Sequence, residues 1–249
     1  MEQKEWDRLA EDYHEEVISP FYGDVENPLF DELKKIKNKK AKIVAEFGCG
    51  LFYLGETLAK KFKKVYASDF SPAMIKKASE KNKKYKNVSL CLEDIRKIKY
   101  KNKFDVIISV NSIIMPSYND IDKSFSNLKK ALKKEGRILM ILPSMESVIY
   151  NGSLILHKQL EKFNEPTAKR TAKIKFENKK YDFFNGYYTD GNERQKFYYK
   201  HEVLLFLKKA GFKDIEISKV KYSWGKNISD YEDFPDEEKL WDWFVKARK

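Results

Sequence analysis

An acid followed by two closely spaced glycines is the part of the sequence best suited to chemistry. In the stretch K-I-V-A-E-F-G-C-G-L-F-Y-L, residues 42–54, an apolar run ends at Glu46, a G-C-G turn follows at 48–50, and an apolar helical pattern begins at about Tyr53. This order predicts a strand, a tight turn and a helix. Glycine lets the backbone approach a ligand closely, and a helix start offers N–H groups without a helical partner. The stretch therefore predicts a ligand site, and the acid favours a ligand that carries positive charge.

The spacing of the glycines argues against a dinucleotide site. A dinucleotide fingerprint reads G-x-G-x-x-G, and Tyr53 stands where its third glycine would be. Glu46 would also lie close to the pyrophosphate of such a ligand. A nicotinamide-dependent oxidoreductase therefore stays open only as a less favoured alternative.

A second acid follows at the spacing that suits a ribose. The short run 64–69 ends at Asp69, roughly 20 residues after the glycines, where a carboxylate can accept hydrogen bonds from both ribose hydroxyls. Phe70 can cover the adenine face. Ser71 and Pro72 then provide the N-cap and the first-turn proline of a helix. Asp69 could instead be a helix-start charge, but Ser71 already caps the helix, so ribose binding is favoured.

Three stretches together resemble class I S-adenosylmethionine (SAM)-dependent methyltransferases. E-F-G-C-G-L-F resembles motif I, D/E-x-G-x-G-x-G, although Phe52 replaces the last glycine. D-F-S-P-A-M resembles motif II, and N-S-I-I-M-P, after the apolar run 104–110, resembles motif IV. The resemblance covers residues 42–143 strongly and 200–249 moderately, and it implies methyl transfer from SAM.

The resemblance also implies which residues bind the cofactor. In the family an acid after the third strand binds the adenine amino group; Asp94 matches it, with Ile95 donating the neighbouring backbone N–H, although a solvated turn acid is a close alternative. An N-terminal helix closes over the cofactor in many members, which makes Tyr13 a lid candidate. The predicted cofactor-binding residues are Tyr13, Glu46, Gly48, Cys49, Gly50, Tyr53, Asp69, Phe70, Met74, Asp94, Ile95, Asn111 and Ser112.

Methyl transfer from SAM needs alignment rather than a nucleophilic side chain, because the sulfonium already activates the methyl group. Asn111 and Tyr118 are candidate catalytic residues near the methyl group, and His157 is a candidate base, although a surface or core role is the simpler interpretation of a lone histidine. The histidines lie far apart and lack metal-binding spacing, so no metal is predicted. Neither N-P-P-Y nor D-P-P-Y is present, which disfavours DNA methylation.

Alternating strands and helices predict a parallel sheet with right-handed crossovers. The predicted fold class is α/β, a Rossmann-like three-layer sandwich. Its mostly parallel seven-stranded sheet has an antiparallel last strand, 240–247, beside the fifth strand, and a small α+β cap follows strand 5. The predicted parts are an N-terminal helical lid (1–40), a SAM-binding core (41–143), a substrate cap (144–200) and the C-terminal part of the core sheet (201–249). In the cap we expect a helix at 147–163 and strands at 173–177, 181–185 and 197–200.

Composition narrows the class of protein. The chain has 249 residues, a net charge of +12 and a pI near 9.3, with the excess lysine spread along its length. An even spread favours a lysine-rich surface over a nucleic-acid site, because arginine is the better phosphate reader. No apolar run of about 18 residues predicts a membrane span, and neither a signal peptide nor a disulfide pattern is evident. We therefore expect a soluble cytoplasmic protein, monomeric or homodimeric.

The favoured function is methyl transfer from SAM to nitrogen or oxygen of a small molecule. It combines three cofactor motifs with a cap rich in tyrosine and phenylalanine, and in the family such caps carry substrate specificity. The alternatives are an RNA or protein methyltransferase that uses the basic charge, a catalytically silent SAM-binding protein, and the NAD(P)-dependent oxidoreductase.

Overall fold

A seven-stranded sheet lies at the centre of the computed structural model, which describes residues 6–8, 10, 19–191, 193–225 and 234–249. The strands of the chain are β1 (Ile43–Phe47), β2 (Lys64–Asp69), β3 (Val88–Leu92), β4 (Phe104–Val110), β5 (Leu132–Pro143), β6 (Tyr181–Asp182), β7 (Tyr187–Asp190), β8 (Glu193–Lys196), β9 (Lys213–Tyr222) and β10 (Leu240–Arg248). The large sheet has the order β3-β2-β1-β4-β5-β10-β9, and β6, β7 and β8 form a second, antiparallel sheet. Strands β1 to β5 pair in parallel, whereas β10 is antiparallel to both neighbours.

Helices cover both faces of the large sheet. In chain order the helices with described bounds are α1 (Pro28–Lys35), α2 (Gly55–Lys61), α3 (Pro72–Asn82), α4 (Tyr118–Ala131), α5 (Met145–Leu160), α6 (Glu165–Lys175) and α7 (Lys200–Ala210). Of these, α6 packs on α5, with Ala172 against Ile155. One face of the sheet packs with Phe125 of α4 and Leu207 of α7, and the other with Leu33 of α1 and Leu58 of α2. The predicted fold class, including an antiparallel last strand beside β5, is confirmed.

The ends of the parallel strands define where a ligand can lie. β4, F-D-V-I-I-S-V, sends Ile107 into the core on one face and Ile108 into the core on the other, which explains its continuous apolar run. The strand order reverses between β1 and β4, and crevices in such sheets form at that point, beyond the carboxyl ends of the strands. Phe47, Asp69 and Val110, the last residues of β1, β2 and β4, therefore mark the edge that carries the candidate site.

The predicted strand at 173–177 is wrong. Most of this stretch is the end of α6. The helix starts from Asn164, whose side chain accepts a hydrogen bond from Thr167 N–H, and Pro166 occupies its first turn. These capping residues outweigh the β-branched character of Ile174, which lies exposed.

The predicted strand at 197–200 is also wrong. This stretch makes one isolated bridge, between Tyr198 and Ser144, and α7 begins at Lys200 with Glu202 accepting a hydrogen bond from Tyr199 N–H. The other expected elements of the cap are present, with α5 at the predicted helix and β6 within 181–185.

The inserted segment between β5 and α7 packs directly on the loop that follows β4. Tyr187 Oη donates to Pro116 O at 2.7 Å, Tyr198 Oη donates to Ile113 O at 2.6 Å, and Lys196 N–H donates to Ile114 O at 2.8 Å. Three successive contacts therefore hold the loop 111–117 against the insertion.

The chain shows no transmembrane helix in the part that the structure describes, since none of its helices there is both long and apolar enough for a bilayer. Within the predicted N-terminal segment 1–40, α1 begins after Asn27, whose side chain accepts a hydrogen bond from Leu29 N–H.

Candidate functional site

The glycine turn after β1 is packed closely between two other strand ends. Gly48 N–H and Cys49 N–H both donate to Ser68 O of β2, at 2.8 and 2.9 Å. Gly48 has a φ of +71°, and a Cβ there would lie 2.1 Å from Ser112 Cβ in the loop after β4. Ser112 Oγ in turn donates to Phe47 O at 3.1 Å. Gly48 therefore permits an approach between β1 and the loop after β4 that no side chain would allow.

Replacement of Gly48 with alanine should destabilise the protein and disturb this turn. The change adds left-handed strain of about 1–2 kcal/mol and also forces Ser112 away. Gly191, with a φ of +55° and open space around its Cβ position, offers a matched control. In urea unfolding, Gly48→Ala is expected to lose clearly more stability than Gly191→Ala, which has the strain alone. Equal losses would contradict the close contact with Ser112.

Phe52 stands where motif I has its last glycine, and its backbone is in the region that favours glycine. Its φ is +56°, in the left-handed region, and its side chain is buried in the core beneath the turn. The strain of a non-glycine residue there is of the order of 1–2 kcal/mol, and burial of an aromatic ring offsets it. The turn continues to Leu54, so α2 begins at Gly55 instead of at about Tyr53 as predicted.

Glu46 is a buried acid at the end of β1. Its side chain is almost fully enclosed, and burial, together with nearby Asp69, raises its pKa from 4.5 to about 8. Within the described part of the chain, Glu46 Oε2 has no hydrogen-bond partner. A cation that reached this oxygen would lower the pKa again, because an opposite charge favours the ionised carboxylate.

Asp69 ties the glycine turn to the start of α3. Its Oδ2 accepts from Gly50 N–H at 2.9 Å and its Oδ1 from Ser71 N–H at 3.0 Å. Burial raises the pKa of Asp69 against these hydrogen bonds. Next to it, Phe70 is partly exposed and Met74 is buried. Asp69 thus lies at the sheet edge where the sequence predicts a ribose contact.

The predicted lid reaches this part of the site. Asp7 accepts hydrogen bonds from Ser71 Oγ and Ala73 N–H at the start of α3, and Lys77 Nζ donates to Ala10 O. Tyr13, the predicted lid residue, lies outside the described residues.

Asp94 makes an ion pair that the sequence analysis missed. Arg96 donates to both of its carboxylate oxygens, at 2.7 to 3.0 Å. Burial would raise the pKa of Asp94, but the hydrogen bonds from Arg96 outweigh it and hold the pKa below its usual value. Ile95 is buried in the core. The roles of both residues toward adenine stay predictions.

Two further predicted cofactor-binding residues lie in the glycine turn or just after it. Cys49 is buried, and burial raises the pKa of its thiol, so it lies in the turn as a neutral thiol. Tyr53 lies against Phe21, with ring centroids 5.8 Å apart, and burial raises its pKa to about 12.

Asn111 and Ser112 follow β4 at the same edge. Ser112 Oγ lies 2.6 Å from Ser109 Oγ, and Asn111 Nδ2 donates to Asp242 Oδ2 at 3.0 Å. Tyr222 Oη donates to the same oxygen at 2.6 Å. Burial raises the pKa of Asp242 against these two hydrogen bonds.

The other candidate catalytic residues lie apart from this group. Tyr118 is the first residue of α4, and its hydroxyl contacts Asn185 O and Glu202 Oε1 of the inserted segment and of α7, at 3.4 and 3.3 Å. His157 is exposed in the last turn of α5. It lies twelve residues after Met145, the first residue of α5, which follows the end of β5. At the usual rise of a helix this is about 18 Å. The structure therefore groups Asn111 with the glycine turn and leaves His157 away from it.

A family profile described as Methyltransferase domain matches residues 38–211, well over half of the chain. The chain belongs to this methyltransferase family. The match includes the glycine turn, Asp69, Asp94 and Asn111. The predicted family of SAM-dependent methyltransferases, with a Rossmann-like fold, is thereby confirmed.

Curated relatives are similar to this chain over about half of its length or less. A malonyl-[acyl-carrier protein] O-methyltransferase of Bacillus cereus is 33% identical over 114 residues, which are 45% of this chain and 41% of that protein. The chain spans about half the length, or less, of the curated relatives it matches.

Two solved structures have the same fold as this methyltransferase. A SAM-dependent methyltransferase of Methanosarcina mazei has a TM-score of 0.61 at 13% identity, covering 90% of this chain and 97% of its own. The N-methyltransferase NodS of Bradyrhizobium japonicum, solved with S-adenosylhomocysteine (SAH), has a TM-score of 0.56 at 14% identity, with coverage of 99% and 97%.

The residues of this methyltransferase fit SAM, the cofactor of its family. SAM carries an ammonium group at its amino-acid end, and Glu46 supplies a buried carboxylate oxygen that the described residues leave without a donor. Gly48 and Gly50 keep the turn open to close backbone approach, with φ of +71° and +50°. Asp69 supplies a carboxylate beside the turn.

Sequence reasoning missed Asp242, Tyr222 and Arg96 of this methyltransferase. A signal for Asp242 was present, because an acid between two tryptophans interrupts the apolar strand L-W-D-W-F-V. Tyr222 carried no comparable signal, because its partner Asp242 lies on another strand. Arg96 lies two positions after Asp94, so the run D-I-R was a local signal for this ion pair.

Proposed function

We propose that this chain transfers a methyl group from SAM to a nitrogen or oxygen atom of a small molecule. The observation that carries the proposal is the buried carboxyl of Glu46 beside the glycine turn. An acid that burial keeps mostly in its protonated, neutral form is costly to ionise. A cationic ligand in contact with the Glu46 carboxyl group would offset that cost. Neither the pyrophosphate nor the neutral ribose of a nicotinamide dinucleotide would do so.

Different residues at the strand ends would then bind different parts of SAM. Glu46 would hold the ammonium group, the glycine turn would admit the amino-acid end, and Asp69 would accept from the ribose hydroxyls. SAM supplies a methyl group that its positive sulfur already activates, so the chain has to align the acceptor and exclude water. Alignment of this kind is worth roughly 7–11 kcal/mol of a reaction barrier.

The inserted segment supports a small acceptor. It holds the loop that begins at Asn111 through Tyr187, Tyr198 and Lys196, so the end of β4 is enclosed by protein on that side. Such enclosure suits a small molecule better than a polymer, which needs an open groove. We assign the substrate cap to 144–200 on this ground and keep a cytoplasmic location as part of the proposal.

Asp69→Asn is expected to weaken SAM binding at least about tenfold, because a hydrogen bond to a charged group contributes about 1.5–3 kcal/mol. Asp105→Asn is the matched control. Asp105 also accepts a backbone N–H, from Ile43 at 2.8 Å, but at the opposite edge of the sheet. Calorimetric titration of both variants with SAM measures the difference.

Thermal-shift scans with SAM, SAH and NAD accompany this test. A ligand present at about 100 times its dissociation constant adds roughly 2.7 kcal/mol of stability. Stabilisation by SAM and SAH supports the proposal. Stabilisation by NAD alone, or by none of the three, contradicts it.

A second candidate is O-methylation of a carboxyl group carried by an acyl-carrier protein. Two relatives named for that reaction are 33% and 35% identical to this chain, over 114 and 98 residues. The net charge of +12 would also attract an acidic protein. Transfer of labelled methyl from SAM to malonyl-[acyl-carrier protein], but not to small amines or alcohols, would favour this candidate.

A further inference from the structure

The side chain of Asn111 starts from a fixed backbone at the edge of the sheet. Asn111 is the first residue after β4, and its N–H donates to Ile141 O of β5 at 2.9 Å. Its φ is +45°, in the left-handed region that asparagine tolerates better than most residues. Strand pairing therefore determines where this side chain begins.

Asp242 and Tyr222 fix the orientation of the Asn111 amide. Asp242 faces Pro143 at the end of β5, so it lies at the same edge as Asn111. Its Oδ2 receives the 3.0 Å hydrogen bond from Asn111 Nδ2 and the 2.6 Å hydrogen bond from Tyr222 Oη. Because a carboxylate oxygen only accepts, the amide nitrogen has to face Asp242, and Asn111 Oδ1 points away from it.

Asn111 Oδ1 is itself a buried acceptor. Across the residues described by the structure it has no hydrogen-bond donor. Leaving such an atom unsatisfied costs about 1–3 kcal/mol, which a ligand with an N–H or O–H group would relieve. A carboxylate brings no donor, and it would add negative charge beside Asp242.

We infer that Asn111 Oδ1 accepts a hydrogen bond from the N–H or O–H of the atom to be methylated, with Asp242 and Tyr222 as positioning residues. The acceptor is therefore an amine or a hydroxyl compound and not a carboxylate. This inference rests on the proposed function, because it places the acceptor at the end of β4, and it separates the two candidate reactions named there.

Sinefungin and SAH test the inference without an identified acceptor. Sinefungin is a SAM analogue with an ammonium group at the position of the methyl group of SAM. SAH has no group at that position. In calorimetric titrations, Asn111→Ala is expected to weaken sinefungin about tenfold or more, as for a hydrogen bond to a charged donor, and SAH less than about twofold. Asn102→Ala is the control, because Asn102 also has a left-handed φ, +47°, but lies at the other end of β4. It should change neither affinity.

Asp242→Asn and Tyr222→Phe test the positioning role, and they carry the test alone if Asn111→Ala does not fold. Both keep Asn111 Oδ1 but loosen its orientation, so each should reduce the preference for sinefungin over SAH by a smaller factor at unchanged SAH affinity. A purely structural role would weaken both ligands together.

The results that overturn the inference differ from those that overturn the proposed function. Equal losses for the two ligands, or no loss for sinefungin, would overturn the inference. So would formation of methyl esters from a panel of carboxylic acids when amines and alcohols are left unmethylated. A wild-type protein that binds neither SAH nor SAM would instead overturn the proposed function.

Discussion

Glu46→Gln is expected to raise the free energy of unfolding of the ligand-free protein by about 3 kcal/mol at pH 7, while weakening SAM binding. With a pKa of about 8 in the fold against 4.5 when exposed, the carboxyl group is mostly protonated in the folded chain and ionised in the unfolded chain. Each pKa unit between the two states corresponds to about 1.4 kcal/mol. Glutamine keeps the shape of the side chain and removes this penalty.

The effect has a defined pH dependence. A raised carboxyl pKa destabilises the fold progressively as pH rises from 4.5 to about 8 and adds nothing further above it. Wild type and Glu46→Gln should therefore have similar stabilities near the lower value and diverge toward the upper one. Urea unfolding across this range measures the divergence. The control is Glu80→Gln at an exposed position on α3, where a substitution should change stability by no more than about 0.5 kcal/mol.

SAM binding should become stronger as pH rises, whereas the stability of the ligand-free protein falls, and both effects come from ionisation of Glu46. If SAM takes the ionised form of Glu46, its affinity for the wild type should increase about tenfold between pH 6 and pH 7. Glu46→Gln should bind more weakly and lose most of this increase. A variant that is more stable yet binds SAM as well as the wild type does would show that Glu46 does not contact the ammonium group.

Glu202→Gln is expected to destabilise the protein by about 3 kcal/mol, at the lower end of the range for breaking a buried ion pair. Lys196 is completely buried, and its ammonium group contacts both carboxylate oxygens of Glu202, at 2.8 and 2.9 Å, and Asn185 O at 2.7 Å. Without the carboxylate, the ammonium charge remains enclosed among Tyr118, Tyr187 and Tyr198, and Asn185 O, which it also contacts, is neutral.

A double-mutant cycle separates this charge effect from a loss of packing. Lys196→Met/Glu202→Gln removes both charges and should recover a large part of the stability that Glu202→Gln loses. The control pair, Glu165 and Lys169, is exposed on α6 of the same inserted segment, and Glu165→Gln should have no measurable effect in urea unfolding. Additive effects of the two mutations in the cycle would contradict a coupled buried pair.

The carboxyl edge of the sheet could be predicted because its signals are local. An apolar run that ends in an acid, a glycine turn and a helix cap at Ser71 lie within a few residues of one another. These signals place Glu46 and Asp69 at strand ends without knowledge of the rest of the fold. The alternation of strands and helices then predicts a parallel sheet with right-handed crossovers.

The rest could not be predicted because it depends on residues distant in sequence. Asn111 and Asp242 are 131 positions apart and meet only because β10 inserts between β5 and β9. The inserted segment gave poor strand predictions for a different reason. At 173–177 the aromatic and β-branched residues favour a strand. The capping residue Asn164 and the first-turn Pro166 instead start a helix that continues to Lys175.

The position of β10 has a consequence for how the protein is made. β5 gains its second neighbour only when β10 is synthesised, after the whole of residues 144–239, and β9 pairs within the large sheet with β10 alone. At 5–20 residues per second, this delay on the ribosome is on the order of 5–20 s. Throughout that interval the apolar strand I-L-M-I-L-P has an open hydrogen-bonding edge, which is a site for aggregation. This edge of β5 therefore stays unpaired in the nascent chain until β10 has been synthesised.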